Sequence, residues 1–152
     1  MKRNSISLEE KRLILKAVID AERFTSVEFQ IHIDNECKVD VKERAAGIFK
    51  ILHMNKSKKK NWVLFYFSID DLKYAIVGDE GLDLLVTPNF WNDVISHMKQ
   101  RISEGNLAGS LSEGIKMAGE KLKLIVPKQK NDINELPDEI VFGSDIQELV
   151  DC

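Results

Sequence analysis

The spacing of apolar and polar residues changes period several times along this chain, and each change marks an element. Val27, Phe29, Ile31 and Ile33 alternate with Glu28, Gln30 and His32, the two-residue period of a strand with one apolar face. Before it, Ser7 with Glu10 three residues on has the pattern of a capping box. It predicts a helix to about Arg23, with Leu15, Val18, Ile19 and Glu22 distributed over its faces. Asp40 and Glu43 repeat the capping pattern, and Val41, Ala45, Ile48, Phe49 and Leu52 follow at helical spacing. Asn55 to Lys60 is polar and reads as a loop. Trp62 to Phe67 is apolar on both faces, which suits a strand buried in the middle of a sheet.

Asp70 and Asp71 form a turn, from which Lys73 to Val77 returns as a third strand ending at Gly78. Thr87 is expected to cap a helix with Pro88 at its first position and a buried stripe of Trp91, Val94, Ile95, Met98 and Ile102. Gly105 ends it. Leu107, Leu111, Ile115, Ala118, Leu122 and Ile125 space out one more helix, stopped by Pro127. Gly109, Gly114 and Gly119 recur along that helix and predict close packing on a neighbour. The order helix, strand, helix, strand, strand, helix, helix contains a strand–helix–strand unit, which requires a parallel pair with a right-handed crossover. The hairpin adds an antiparallel third strand. The fold class is therefore α/β, a small mixed sheet with helices on both faces.

Composition sharpens this picture only at the end of the chain. The 152 residues, 43 % hydrophobic and 31 % charged, suit one globular domain able to bury a core without disulfide or structural metal. Residues 128–152, by contrast, carry only Lys128 and Lys130 against seven carboxylates, an acidic tail in which residues 145–150 suit a short helix or no fixed structure. Lys56, Lys58, Lys59 and Lys60 form the one basic run. Without interleaved aromatic residues or arginine it reads as a solvated loop, so no nucleic-acid partner is expected. Cys37 and Cys152 form no CxxC pair. No segment has the apolar length of a signal peptide or a membrane span, so the cytoplasm is the expected location and no membrane insertion is expected.

The predicted topology sorts the acidic residues into two groups. Asp34, Glu36, Asp70 and Asp71 fall at the C-terminal end of the parallel strands. Gly78–Asp79–Glu80–Gly81 falls at the other end, with Thr25, Ser26, Glu28 and Asn61. Glu28, Asp79 and Glu80 thus have a route to one place despite their separation in sequence. Hard cations take several oxygen ligands from carboxylates, amides and carbonyls, and the G-D-E-G-L-D loop offers Asp79, Glu80 and Asp83 beside two glycines. The plainer alternatives are loop solvation or helix capping for these acids, an ordinary turn for Asp70–Asp71, and an exposed face shared with Gln30 and His32 on an edge strand for Glu28. His32 is expected on a polar face, and His53 and His97 on helix surfaces, with no ligand spacing among them. Cys37 reads as a bystander in a loop.

The segments FTSVEFQIHI, ERAAGIFKILHM, NWVLFYFSIDDLKYAIVGDEG, FWNDVISHM and AGSLSEGIKMAGEKL, in that order, resemble the TPM domain family. That family includes a thylakoid lumen acid phosphatase, photosystem II repair proteins and soluble bacterial members of unassigned function. Thr25 with Glu28, Asn61, Gly78–Asp79 and Phe90–Trp91 carry the resemblance, and NELPDEIVF resembles the soluble bacterial branch. It implies a three-layer α/β/α sandwich with a small mixed central sheet, a TPM-like domain over residues 1–127 and a tail over 128–152. It also implies a divalent cation, calcium before magnesium, in the acidic loops, with Glu28, Asp79, Glu80 and the Asp70–Asp71 turn at the matching positions. For some members it implies weak acid phosphatase activity. Many members open with V-x-D-x-A where this chain has MKRNS, so the expected order is a non-catalytic cation-binding monomer with a protein partner first, a protein-interaction domain that uses no metal second, and a weak metal-assisted acid phosphatase third.

Overall fold

The computed structural model describes residues 6–52, 61–129 and 140–142. In chain order they form α1 (Leu8–Glu22), β1 (Glu28–Asp34), α2 (Val41–Ile51), β2 (Trp62–Ser68), β3 (Lys73–Gly78), α3 (Glu80–Asp83), α4 (Asn92–Ser103), α5 (Leu107–Lys123) and β4 (Ile140–Phe142). The strands make one sheet in the order β3-β2-β1-β4. β1 runs parallel to both β2 and β4, and β3 pairs antiparallel with β2.

Strand periodicity explains the layers. Phe29, Ile31 and Ile33 share a face with Val63, Phe65 and Phe67 and meet Ile14 and Val18 of α1, Val94 and Met98 of α4, and Leu111, Ile115 and Leu122 of α5. Each such fully buried side chain contributes about 1.5–3 kcal/mol. The opposite face, with Trp62, Leu64 and Tyr66, packs on Ala45, Ile48 and Phe49 of α2 and on Cys37. Helices thus cover both faces of a mixed sheet, the α/β/α sandwich the resemblance implies. The glycines of α5 set how closely this layer packs. A Cβ on Gly119 would stand 2.8 Å from the Ala21 Cβ, and one on Gly114 would stand 2.7 Å from the Met98 Sδ.

The predicted capping box is present, Ser7 Oγ accepting from the Glu10 N–H at 3.1 Å and Glu10 Oε1 from the Ser7 N–H at 2.9 Å. Asp40 likewise caps α2 through the Glu43 N–H. Three expectations are corrected. The fourth helix of the chain starts at Asn92, because Thr87–Asn92 forms successive turns, Phe90 N–H to Thr87 O and Asn92 N–H to Asn89 O, and Trp91 rather than Thr87 is its cap. The tail supplies a strand, since Ile140–Phe142 joins the sheet beside β1. That pairing makes β1 a central strand, and Glu28 and His32 are buried rather than on an exposed face. His53, the basic run at 56–60 and residues 145–150 lie outside the described residues.

Candidate functional site

The polar side of β1 turns inward under α2, and its two ends are built differently. At the C-terminal end Asp34 is buried. Its Oδ2 accepts from Arg44 Nε at 2.9 Å and from the Tyr66 hydroxyl at 2.6 Å, and its Oδ1 accepts from Arg44 Nη2 at 3.2 Å. His32 Nε2 lies 3.1 Å from the same Oδ1. A carboxylate only accepts, so this contact puts the imidazole proton on Nε2. Nδ1 is left without a hydrogen-bond partner among the described residues. Burial pushes the Asp34 carboxyl up, but the hydrogen bonds from His32, Arg44 and Tyr66 outweigh it and hold the group well below the usual carboxylate range. Burial and the Asp34 and Cys37 contacts push the Tyr66 phenol above its ordinary value.

The hairpin closes over this cluster. The N–H groups of Ile69 and Asp70 donate to the carbonyls of Asp34 and Asn35 at 3.0 and 2.8 Å. Asp71 accepts from the Ser68 hydroxyl and from the Cys37 N–H. Burial raises its carboxyl, and these bonds with nearby Lys73 more than reverse that, so it is lowered. Asp70 is exposed and Glu36 half-buried.

At the opposite end, backbone and side chains knit four segments together. The Ser26 N–H donates to Val126 O, the Glu28 N–H to Asn61 O and the Asp79 N–H to Trp62 O. Glu28, Trp62 and Asp79 therefore occupy one row across β1, β2 and the end of β3, with Glu28 and Asp79 separated by two strand spacings, roughly 10 Å between backbones. Asp79 is buried and caps α3: Oδ1 accepts from the Leu82 N–H at 2.9 Å and Oδ2 from the Trp62 N–H at 2.7 Å. Asp83 is exposed, yet its Oδ1 lies 2.9 Å from the position a Cβ on Gly78 would take. Partial burial, then the charge of Asp79, raises its carboxyl above the ordinary value. The Asn61 amide donates through Nδ2 to Ser26 O at 2.9 Å. A carbonyl demands a donor, which fixes the orientation of the carboxamide and leaves Oδ1, buried, without a partner among the described residues. The Trp62 indole Nε1 is in the same position. Glu80 is exposed in the first turn of α3.

The structure thus brings Glu28, Asp79, Glu80 and Asp83 to one end and Asp34, Asp70 and Asp71 to the other. Among the described residues, no three His, Cys, Asp or Glu side chains stand close enough to hold a metal ion by themselves.

The TPM domain model matches residues 2–121. The chain belongs to the TPM domain family. BA42 from the psychrophilic bacterium Bizionia argentinensis, solved by NMR, is 34 % identical, covering 94 % of this chain and 99 % of that one with a TM-score of 0.87. The N-terminal domain of a P. gingivalis protein, at 18 % identity, covers 79 % and 78 % with a TM-score of 0.67. An N-terminal domain from Corynebacterium glutamicum, at 13 % identity, covers 90 % and 80 % with a TM-score of 0.60. These two share the fold alone. No curated protein matches the chain. Among the described residues of this TPM domain no helix is long and apolar enough to cross a membrane.

Sequence reasoning passed over Arg44 and Tyr66, the partners of Asp34. A signal was present: Arg44 is three residues after Val41 and four before Ile48, on the inward stripe of α2, where a charge needs a buried partner.

Proposed function

We propose that this TPM domain binds a divalent cation, calcium before magnesium, at the end of the sheet where Asp79, Asp83 and Asn61 lie. The supporting observation is the buried Asn61 Oδ1, which has no donor among the described residues and stands one residue from the amide that holds Asp79. A carboxamide oxygen is a hard ligand, and a cation is one group that would satisfy it. The donor set fits such an ion in kind. Asp79 accepts two backbone N–H bonds, and partial burial, then the charge of nearby Asp79, opposes ionisation of Asp83. A bound cation removes that opposition. Glu28 and Glu80 lie at the same end, and backbone carbonyls and water would fill the remaining positions, as calcium sites allow. The acids at the other end fit less well, because Asp34 already meets the Arg44 charge and Asp71 already accepts from Ser68 and Cys37. No catalytic residue enters this reading, in which the ion orders a carboxylate-rich turn.

The test is a backbone amide titration by NMR with calcium and with magnesium. Shifts should concentrate at residues 25–28, 61–62 and 78–84, and the melting temperature should rise with added ion as mass action requires. Shifts spread evenly over the chain, shifts centred on 34–40 and 70–71, or none at millimolar ion would refute the assignment.

A further inference from the structure

Ten large apolar side chains are exposed among the described residues, and five of them, Phe24, Leu84, Leu85, Leu124 and Ile125, lie at the end of the sheet that holds Asp79. Hydrogen bonds fix each half of this grouping, and the strand topology puts both halves at that end. Lys128 N–H to Phe24 O and Ser26 N–H to Val126 O tie the exit of α5 to the entrance of β1, and Leu84 N–H to Glu80 O and Leu85 N–H to Leu82 O fold the leucine pair back on α3. The two tips are strongly exposed, Leu84 at 82 % and Leu124 at 83 %. Cations stand among them. Lys123 Nζ lies 5.3 Å from the Phe24 ring centroid, and Arg23 and Lys128 are exposed on either side.

From this arrangement we infer that the Asp79 end of the domain docks peripherally on an anionic lipid surface when its cation site is filled; the inference rests on the cation reading above. Apolar tips on separate turns suit a fluid interface, which accommodates each tip individually, whereas a protein partner needs a continuous complementary surface. Lys123, Lys128 and Arg23 match a negative surface in charge. Asp79, Glu80 and Asp83 immediately precede Leu84 and Leu85 and oppose the same surface electrostatically. A divalent ion among those acids cancels the repulsion and lets the leucines reach the interface.

The experiment is co-sedimentation of the full chain with phosphatidylcholine vesicles, with and without phosphatidylserine, in millimolar calcium or in chelator, beside the amide titration already described. The protein should sediment only with phosphatidylserine present and calcium added. A Leu84→Gln, Leu85→Gln double variant, changed only at exposed positions, should lose about tenfold or more of that partition while its calcium shifts at 78–84 persist. Calcium shifts without vesicle binding, as expected if the end meets a protein instead, would overturn the docking and leave the cation reading intact. Vesicle binding indifferent to calcium or to the double variant would overturn the inference as stated. Absence of both calcium shifts and vesicle binding would remove the two readings together.

Discussion

Asp34 and Asp79 are both buried aspartates at an end of a strand, on opposite ends of the same sheet, and the protein treats their charges in opposite ways. Asp34 faces a guanidinium. Arg44 reaches it from α2 with two nitrogens, Tyr66 and His32 fill the remaining directions, and the carboxyl is held ionised. Asp79 is held by two backbone N–H groups, and partial burial, then the charge of Asp79, makes ionisation of neighbouring Asp83 harder. The first arrangement is electrostatically closed. The second sets two carboxylates near each other and, at the same end of the sheet, holds a buried carboxamide oxygen with no donor among the described residues. A carboxylate compensated within the protein is architecture, while a pair that repels is where an external cation gains most.

The largest effect expected from breaking this comparison is at Asp34. Replacing it with Ala takes away the carboxylate that the buried Arg44 guanidinium meets, a loss of about 3–5 kcal/mol by urea unfolding. Replacing Asp34 and Arg44 together by Leu and Met should recover much of that loss. A single-variant loss under about 1 kcal/mol would mean that the cluster is not closed by this pair. Next comes Asp79→Ala, which removes the cap of α3 and strands the Trp62 N–H, at about 2–4 kcal/mol. It should also abolish the calcium-induced rise in melting temperature. A variant that keeps the calcium response would move the cation away from this end.

The smallest effect concerns pH, and its sign separates the two ends. Asp34 has a folded-state pKa below its unfolded value. Its stabilisation is present above the unfolded value and fades as pH falls through the folded one. Asp83 has a raised folded-state pKa, so its ionisation is a cost at neutral pH that is relieved as pH falls through that raised value. Without metal, Asp83→Asn should therefore be neutral or stabilising at pH 7 by less than about 1 kcal/mol, with the difference from the parent disappearing in acid. With calcium the same substitution should weaken binding. Unfolding curves between neutral and acidic pH, with and without ion, read both. An Asp83→Asn variant destabilised at neutral pH without metal would contradict the repulsion.

Much of this architecture is legible in the chain. The capping box at Ser7–Glu10, the alternation over 27–33 and the two-faced apolar run at 62–67 are local patterns whose physics needs no partner, and they yield the parallel pair and the sorting of the acids by end. What escapes is what depends on a distant segment. The brief strand at 140–142 has no length of its own to announce it, and it exists because β1 has an open edge. Its pairing makes β1 central, while the polar face of β1 is buried under α2, another distant segment. Glu28 and His32 then change from surface residues to interior ones without any change in their own sequence. The helix expected at Thr87 begins at Asn92 for a related reason, since the preceding residues are taken up in turns that no periodicity records.

Sequence by itself determined the elements, the parallel crossover and which acids share an end, because hydrophobic period and capping act over a few residues. Tertiary structure alone decided which acid meets a counter-charge. Arg44 and Asp34 are ten residues apart, Tyr66 lies on another strand, and only the stacking of α2 on the sheet puts their atoms within hydrogen-bond reach. Coulomb energy depends on distance in space and on burial, and neither is written in the order of residues.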